Sequence, residues 1–124
     1  MKYITKNIYH AILIISIVLI IDQITKVYIS SYELHKTIYE FSFFKIKYVL
    51  NTGVAFSIVE GINDLLKFVI PFAVLILFVL LINYQKNILL KYAFSLQIAG
   101  AIGNFIDRLH KPGVIDFIGV GWWP

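Results

Sequence analysis

Asp107 and Asp116 are the residues best placed by type and spacing to do chemistry in this 124-residue chain. Asp107 ends, with Arg108, the stretch Gly103-Asn104-Phe105-Ile106-Asp107-Arg108, which closes an apolar run; Asp116 lies eight residues further on, inside Val114-Ile115-Asp116-Phe117. An ionised carboxylate in or beside lipid is costly, so two this close together need a reason, and catalysis is one. The Val, Ile and Phe neighbours of Asp116 would desolvate it, raise its pKa and keep it protonatable near neutral pH; capping a turn before Gly119 is the plainer role. Asp107 beside Arg108 reads first as an interfacial ion pair at a helix end, since a paired carboxylate has its pKa lowered. Asn104, Asp107 and Arg108 fall at i, i+3 and i+4 and share a helix face, as do Asp22 and Lys26, which can neutralise each other. Asn51-Thr52-Gly53 reads as a turn, with Gly53 free to take positive φ.

Composition says where these residues must sit. The chain is 60% hydrophobic, 16% aromatic and only 15% charged, with a mean hydropathy of +0.83, too apolar for a soluble domain. It reads as an integral membrane protein forming a single domain over residues 1–124. The formal charge of +4 rests on one arginine and scattered lysines. No basic stripe with interleaved aromatics exists to follow phosphates, so no nucleic-acid partner is expected. The absence of cysteine excludes disulfides, thiolate metal sites and a cysteine nucleophile, and His10, His35 and His110 lack ligand spacing, so neither metal nor cofactor is implied.

Hydropathy places membrane helices at about residues 8–29, 65–82 and 92–109, each near the length a crossing needs. The first is expected to be retained, having no small-x-small cleavage site. Pro71 can be accommodated in the second, while Ala99, Gly100 and Gly103 let a neighbour approach the third. A β region is expected over about residues 36–59, where Lys45 and Lys47 alternate with Phe44, Ile46 and Tyr48 and a further strand-like piece runs from Val54 to Val59. Residues 112–124 are expected to form an outer loop. The fold class is thus a membrane α-helical bundle with a small extracytoplasmic β-ribbon between its first two helices. Phe41, Phe43, Phe44, Tyr48, Trp122 and Trp123 suit an interfacial aromatic belt.

Lys2 and Lys6 precede the first span, and Lys86 and Lys91 bracket the connection between the second and third, which puts both sites in the cytoplasm. Asp22, Lys26, Asn51, Gly53, Asn104, Asp107, Arg108 and Asp116 then converge at the outer surface.

Four blocks, taken in order, closely resemble the lipoprotein signal peptidase family, signal peptidase II. They are Asp22-Gln23-Ile24-Thr25-Lys26, Asn51-Thr52-Gly53-Val54-Ala55-Phe56-Ser57, the run from Gly100 to Arg108, and Val114-Ile115-Asp116-Phe117. The resemblance implies a monomeric aspartyl endopeptidase of the bacterial cytoplasmic membrane that cleaves prolipoproteins before a diacylglyceryl-modified cysteine. Its active site would face outward and its other partner would be membrane lipid. Asp116 resembles one member of a catalytic carboxylate pair. Asn51, Gly53, Asn104, Asp107 and Arg108 resemble supporting or substrate-binding residues, with Asp107 paired to Arg108, and Asp22 and Lys26 resemble structural ones. The family's second catalytic aspartate lies in an Asn-x-Ala-Asp motif at a fourth span. Neither motif nor span occurs before Pro124, so this chain is expected to be truncated and inactive as it stands. The alternatives are a small proton-coupled transporter subunit, with the acids near the bilayer midplane, or an inactive membrane adaptor.

Overall fold

The structure is a computed structural model describing residues 2–53 and 61–120, with side chains described from Lys6. The element order is α1 (Lys2–Ser30), β1 (Thr37–Phe41), β2 (Phe44–Asn51), α2 (Asn63–Tyr84), α3 (Ile88–His110) and β3 (Val114–Val120). All three helices are long and apolar enough to cross a membrane. They run beyond the hydropathy-based bounds, because hydropathy marks the hydrocarbon core and a helix continues until its backbone groups find other partners. At the α2–α3 turn, Asn87 supplies one such partner, its side chain accepting the Leu90 N–H at 3.1 Å. At the far end of α3 the Lys111 N–H closes the last turn on the Asp107 carbonyl at 2.8 Å.

The turn between α2 and α3 forces those helices antiparallel. α3 also packs along α1, and the two run parallel, since Lys91 meets Asn7 at one end and Asn104 meets Lys26 at the other. The small Ala99 on α3 helps permit this double role: it and Ile98 are wholly buried, packed with Ala11 and Ile15 of α1 and Leu81 of α2. The opposite faces of α1 and α2, including Ile17, Ile24, Phe68, Phe72 and Ile76, are exposed apolar surface that suits contact with lipid.

β1 and β2 form the expected ribbon, a hairpin closed by a two-residue turn in which Ser42 takes a left-handed φ of 54°. The ribbon gains a third member. Residues 114–120, expected to belong to an outer loop, form β3 and pair antiparallel with β2, giving the order β1-β2-β3. Leu50 pairs with Ile115 and Asn51 with Val114, while a register shift between Ile46 and Val49 sets Val49 opposite Asp116. The expected strand piece at Val54 to Val59 and the Trp122-Trp123 pair lie outside the described residues. The turn at Gly53 is made by the Asn51 side chain, whose Oδ1 accepts the Gly53 N–H at 2.9 Å.

Candidate active site

Lys26 is the centre of the polar cluster. It projects from α1 into the seam with α3 and is 3% exposed. Its ammonium lies 3.0 Å from Asp22 Oδ2, 3.0 Å from Asp107 Oδ2 and 3.1 Å from Asn104 Oδ1. An ammonium has three N–H donors, and here each has an acceptor. Asp22 and Lys26 pair as their spacing allows, and Lys26 also reaches α3. One expectation needs correction: the direct ion pair of Asp107 is with Lys26 instead of Arg108. The reason is geometric: neighbours in a helix point about 100° apart, so Asp107 turns toward α1 while Arg108 turns toward the sheet.

Both α3 residues then secure strands. Asp107, buried at 1% exposure, accepts the Ile115 N–H on Oδ2 at 3.2 Å, anchoring β3 next to Asp116. The Nη2 of Arg108 donates to the Gly53 carbonyl at 2.6 Å. Its Nε is buried without a partner among the described residues.

Asp116 is partly buried on β3. Burial pushes its carboxyl above the ordinary carboxylate range, offset in part by a hydrogen bond from the Asn51 side chain and the positive charges of Lys26 and Arg108 and reinforced by negative Asp107. The arrangement can therefore hold or release a proton at Asp116 between two cations and an amide donor, which suits general acid–base work. A cleft of about 520 Å³ opens between the end of α1 and the sheet, with Thr25, Tyr28, Ile29, Tyr32, Ile46 and Phe117 among its walls.

Two contributors, Gln23 and Gly113, escaped sequence reasoning, and a third, Gly103, was read only as a small packing residue. The Gln23 amide donates to Asp22 Oδ2 at 3.1 Å and to the Gly103 carbonyl at 3.3 Å, joining α1 to α3. Gly103 has a sharper role than general closeness, because a β-carbon there would collide with the Asp22 carboxylate. Gly113 lets β3 start against Asn51, whose carbonyl oxygen would lie 2.5 Å from an added β-carbon. The signal available for Gly113 was its place directly after Pro112 and before an apolar run.

This constellation, on three apolar helices and a small sheet, agrees with comparisons to known proteins. A family described as "Signal peptidase (SPase) II" matches residues 14–124. The chain belongs to the signal peptidase II family. It is 40% identical to the lipoprotein signal peptidase of Borrelia hermsii over 118 residues, covering 89% of this chain and 69% of that protein. It is 35% identical to that of Shewanella sediminis, covering 88% and 65%, and 36% identical to that of Syntrophus aciditrophicus, covering 84% and 70%. The chain thus spans about two thirds of the length of these relatives. Two solved structures share the fold, both described as bacterial membrane enzymes determined by the in meso method. One, at 2.3 Å resolution, has a TM-score of 0.84 at 32% identity and covers 94% of this chain and 76% of its own; the other, at 1.9 Å, has a TM-score of 0.79 at 32% identity, covering 93% and 78%. Family membership and three membrane-length helices together make this a multi-pass bacterial membrane protein.

Proposed function

We propose that this chain carries one half of the catalytic carboxylate pair of a prolipoprotein signal peptidase, an aspartyl endopeptidase that cleaves before a diacylglyceryl-modified cysteine. The observation that carries the reading is Asp116: a partly buried carboxyl on a strand, beside Asn51, Lys26 and Arg108, whose pKa burial raises. Two carboxylates a few ångströms apart cannot both ionise, so one accepts a proton from water while its protonated partner polarises the scissile carbonyl. The titration belongs to the pair. Asp22 and Asp107 are poor candidates for the partner because both are tied to Lys26, and the family's Asn-x-Ala-Asp motif does not occur in residues 1–124.

The remaining residues have supporting tasks. Arg108 Nε, the buried donor without a described partner, is available to a substrate backbone carbonyl. Asn51 orients Asp116, and Lys26, Asn104 and Asp107 hold the helices and β3 in place around it. The aromatic cleft suits an acyl chain of the substrate. The chain is read as a monomer acting as a single membrane domain. The lysine placement supports a cytoplasmic-membrane location with the site facing outward. The described acids gather toward one end of the helices, which gives no support to a transporter with midplane carboxylates.

The test compares three forms in lipid with a diacylglyceryl-modified prolipoprotein: the 124-residue chain, the chain extended with the C-terminal part of the Borrelia hermsii relative, and that extension carrying Asp116→Asn. The expected result is release of signal peptide by the extended chain alone, with Asp116→Asn at least about 100-fold slower. Undiminished cleavage by the extended Asp116→Asn form would remove Asp116 from the reaction.

A further inference from the structure

Lys91 is a second buried lysine of the helix bundle, and the site above makes no use of it. It sits in the first turn of α3 and is 4% exposed. Among the described residues its ammonium makes one long hydrogen bond, 3.4 Å to Asn7 Oδ1 of α1, and lies 5.3 Å from the centre of the Tyr92 ring. No carboxylate is within reach along any helix. At 1.5 Å per residue, Asp107 is about 24 Å further along α3, Asp22 is about 22 Å from Asn7 on α1, and Asp64 is about 31 Å from the α2 end at Gln85. None of the seven acids of the chain occurs in residues 1–21 or 65–106, while Lys2, Lys6, Lys86 and His10 all do. Gln85, in the turn between α2 and α3, is 5% exposed and leaves its Oε1 without a partner among the described residues.

This end also lies at a defined depth. Asn7 and Lys26 on α1 are about 28 Å apart, and Lys91 and Asp107 on α3 about 24 Å, close to the roughly 30 Å of a bilayer's hydrocarbon core. The two polar layers therefore match the two headgroup regions. A buried ammonium with one weak acceptor keeps most of its desolvation cost unless an anion meets it. At headgroup depth, the anion that a membrane supplies is a lipid phosphate.

We propose that Lys91 is the centre of a binding site for the headgroup of an anionic glycerophospholipid, with Asn7 fixing the ammonium. The phosphate takes the ammonium hydrogens that the described residues leave unused. Gln85 Oε1 offers an acceptor suited to a headgroup hydroxyl such as that of phosphatidylglycerol. General attraction of exposed lysines to an anionic surface would act equally through exposed Lys86; a site would not.

The test uses the 124-residue chain in nanodiscs of phosphatidylcholine, with and without phosphatidylglycerol. Lipid retention is read by native mass spectrometry, and thermal unfolding is followed in parallel. The wild type should retain phosphatidylglycerol preferentially and unfold at higher temperature in the mixed discs. Lys91→Gln should lower that retention about fivefold, the weight of one lysine at an anionic surface, and remove the thermal gain, whereas Lys86→Gln should keep both. Equal losses from the two substitutions, or a wild type with no preference, would overturn the site. If Lys91→Gln fails to insert, wild type labelled with ¹⁵N-lysine decides: the Lys91 ammonium signal should move with added phosphatidylglycerol more than that of Lys86, and equal movement refutes the proposal.

Discussion

Lys26 and Lys91 are both buried on the seam between α1 and α3, at opposite ends of it, and they differ in what meets the charge. Among the described residues, Lys26 has two carboxylates and an amide on its ammonium; Lys91 has one amide. Equal burial therefore has opposite consequences. At the Lys26 end, charges are compensated within the chain, so α1, α3 and β3 are held in one arrangement beside Asp116. At the Lys91 end, compensation is left to the surroundings.

Substitution by methionine should separate the two lysines most strongly. Lys26→Met leaves Asp22 and Asp107 facing each other without the cation and should cost about 3–5 kcal/mol. Lys91→Met, in a neutral detergent, removes a charge that no carboxylate balances and should be near neutral or slightly stabilising. Unfolding of both variants in the same detergent checks this, and equal losses would mean that Lys91 has a counter-charge within the protein.

Gly103→Ala probes the same end without touching a charge. The new methyl group displaces the Asp22 carboxylate from Lys26, at an expected cost of about 1–3 kcal/mol. Gly100→Ala is the matched control, because its added β-carbon meets open space. If both substitutions proved equally harmless, the packing of Asp22 against α3 would be looser than the structure has it.

The pH dependence distinguishes Asp116 from its compensated neighbours. Its folded-state pKa is raised by burial, so between the unfolded and folded values the folded chain binds more protons than the unfolded one. The contribution of Asp116 to stability therefore falls as pH rises through that window. Asp116→Asn should flatten this part of the curve and be neutral or mildly stabilising above it, as is common where a residue serves function over stability. Unfolding measured as a function of pH reads the difference between the two curves, and unchanged curvature in Asp116→Asn would contradict the burial argument.

The smallest effect is expected where solvent screens the charges. Lys67 and Asp64 pair at 2.9 Å at the start of α2, with Asp64 90% exposed. Lys67→Ala should change stability by no more than about 0.5 kcal/mol in the same unfolding assay. A loss approaching that of Lys26→Met would show that the contrast rests on something other than burial.

Much of the architecture was already legible in composition and order, because its physical cause is local. Long apolar runs must become helices in lipid, since no other open segment satisfies its own backbone there. Alternation around Lys45 and Lys47 marks a strand, and the four blocks of the family appear in the sequence in their order. Periodicity likewise puts Asp22 with Lys26, and Asn104 with Asp107 and Arg108, on their helix faces. It cannot say which faces meet. The pairing of Lys26 with Asp107 joins residues 81 positions apart, and the bond from Arg108 to Gly53 spans 55. Residues 114–120 looked like loop because Asp116, Gly119 and the preceding Pro-Gly interrupt any strand pattern. They become β3 because β2 offers an unpaired edge and Asp107 takes the Ile115 N–H. The sequence by itself determined the helices, the hairpin and the residue types of the candidate site, through hydropathy and local backbone preference. Only the tertiary structure decided that Lys26 is shared between two helices, that β3 joins the sheet and that Asp116 sits beside Asn51, because those outcomes depend on contacts between segments far apart in the chain.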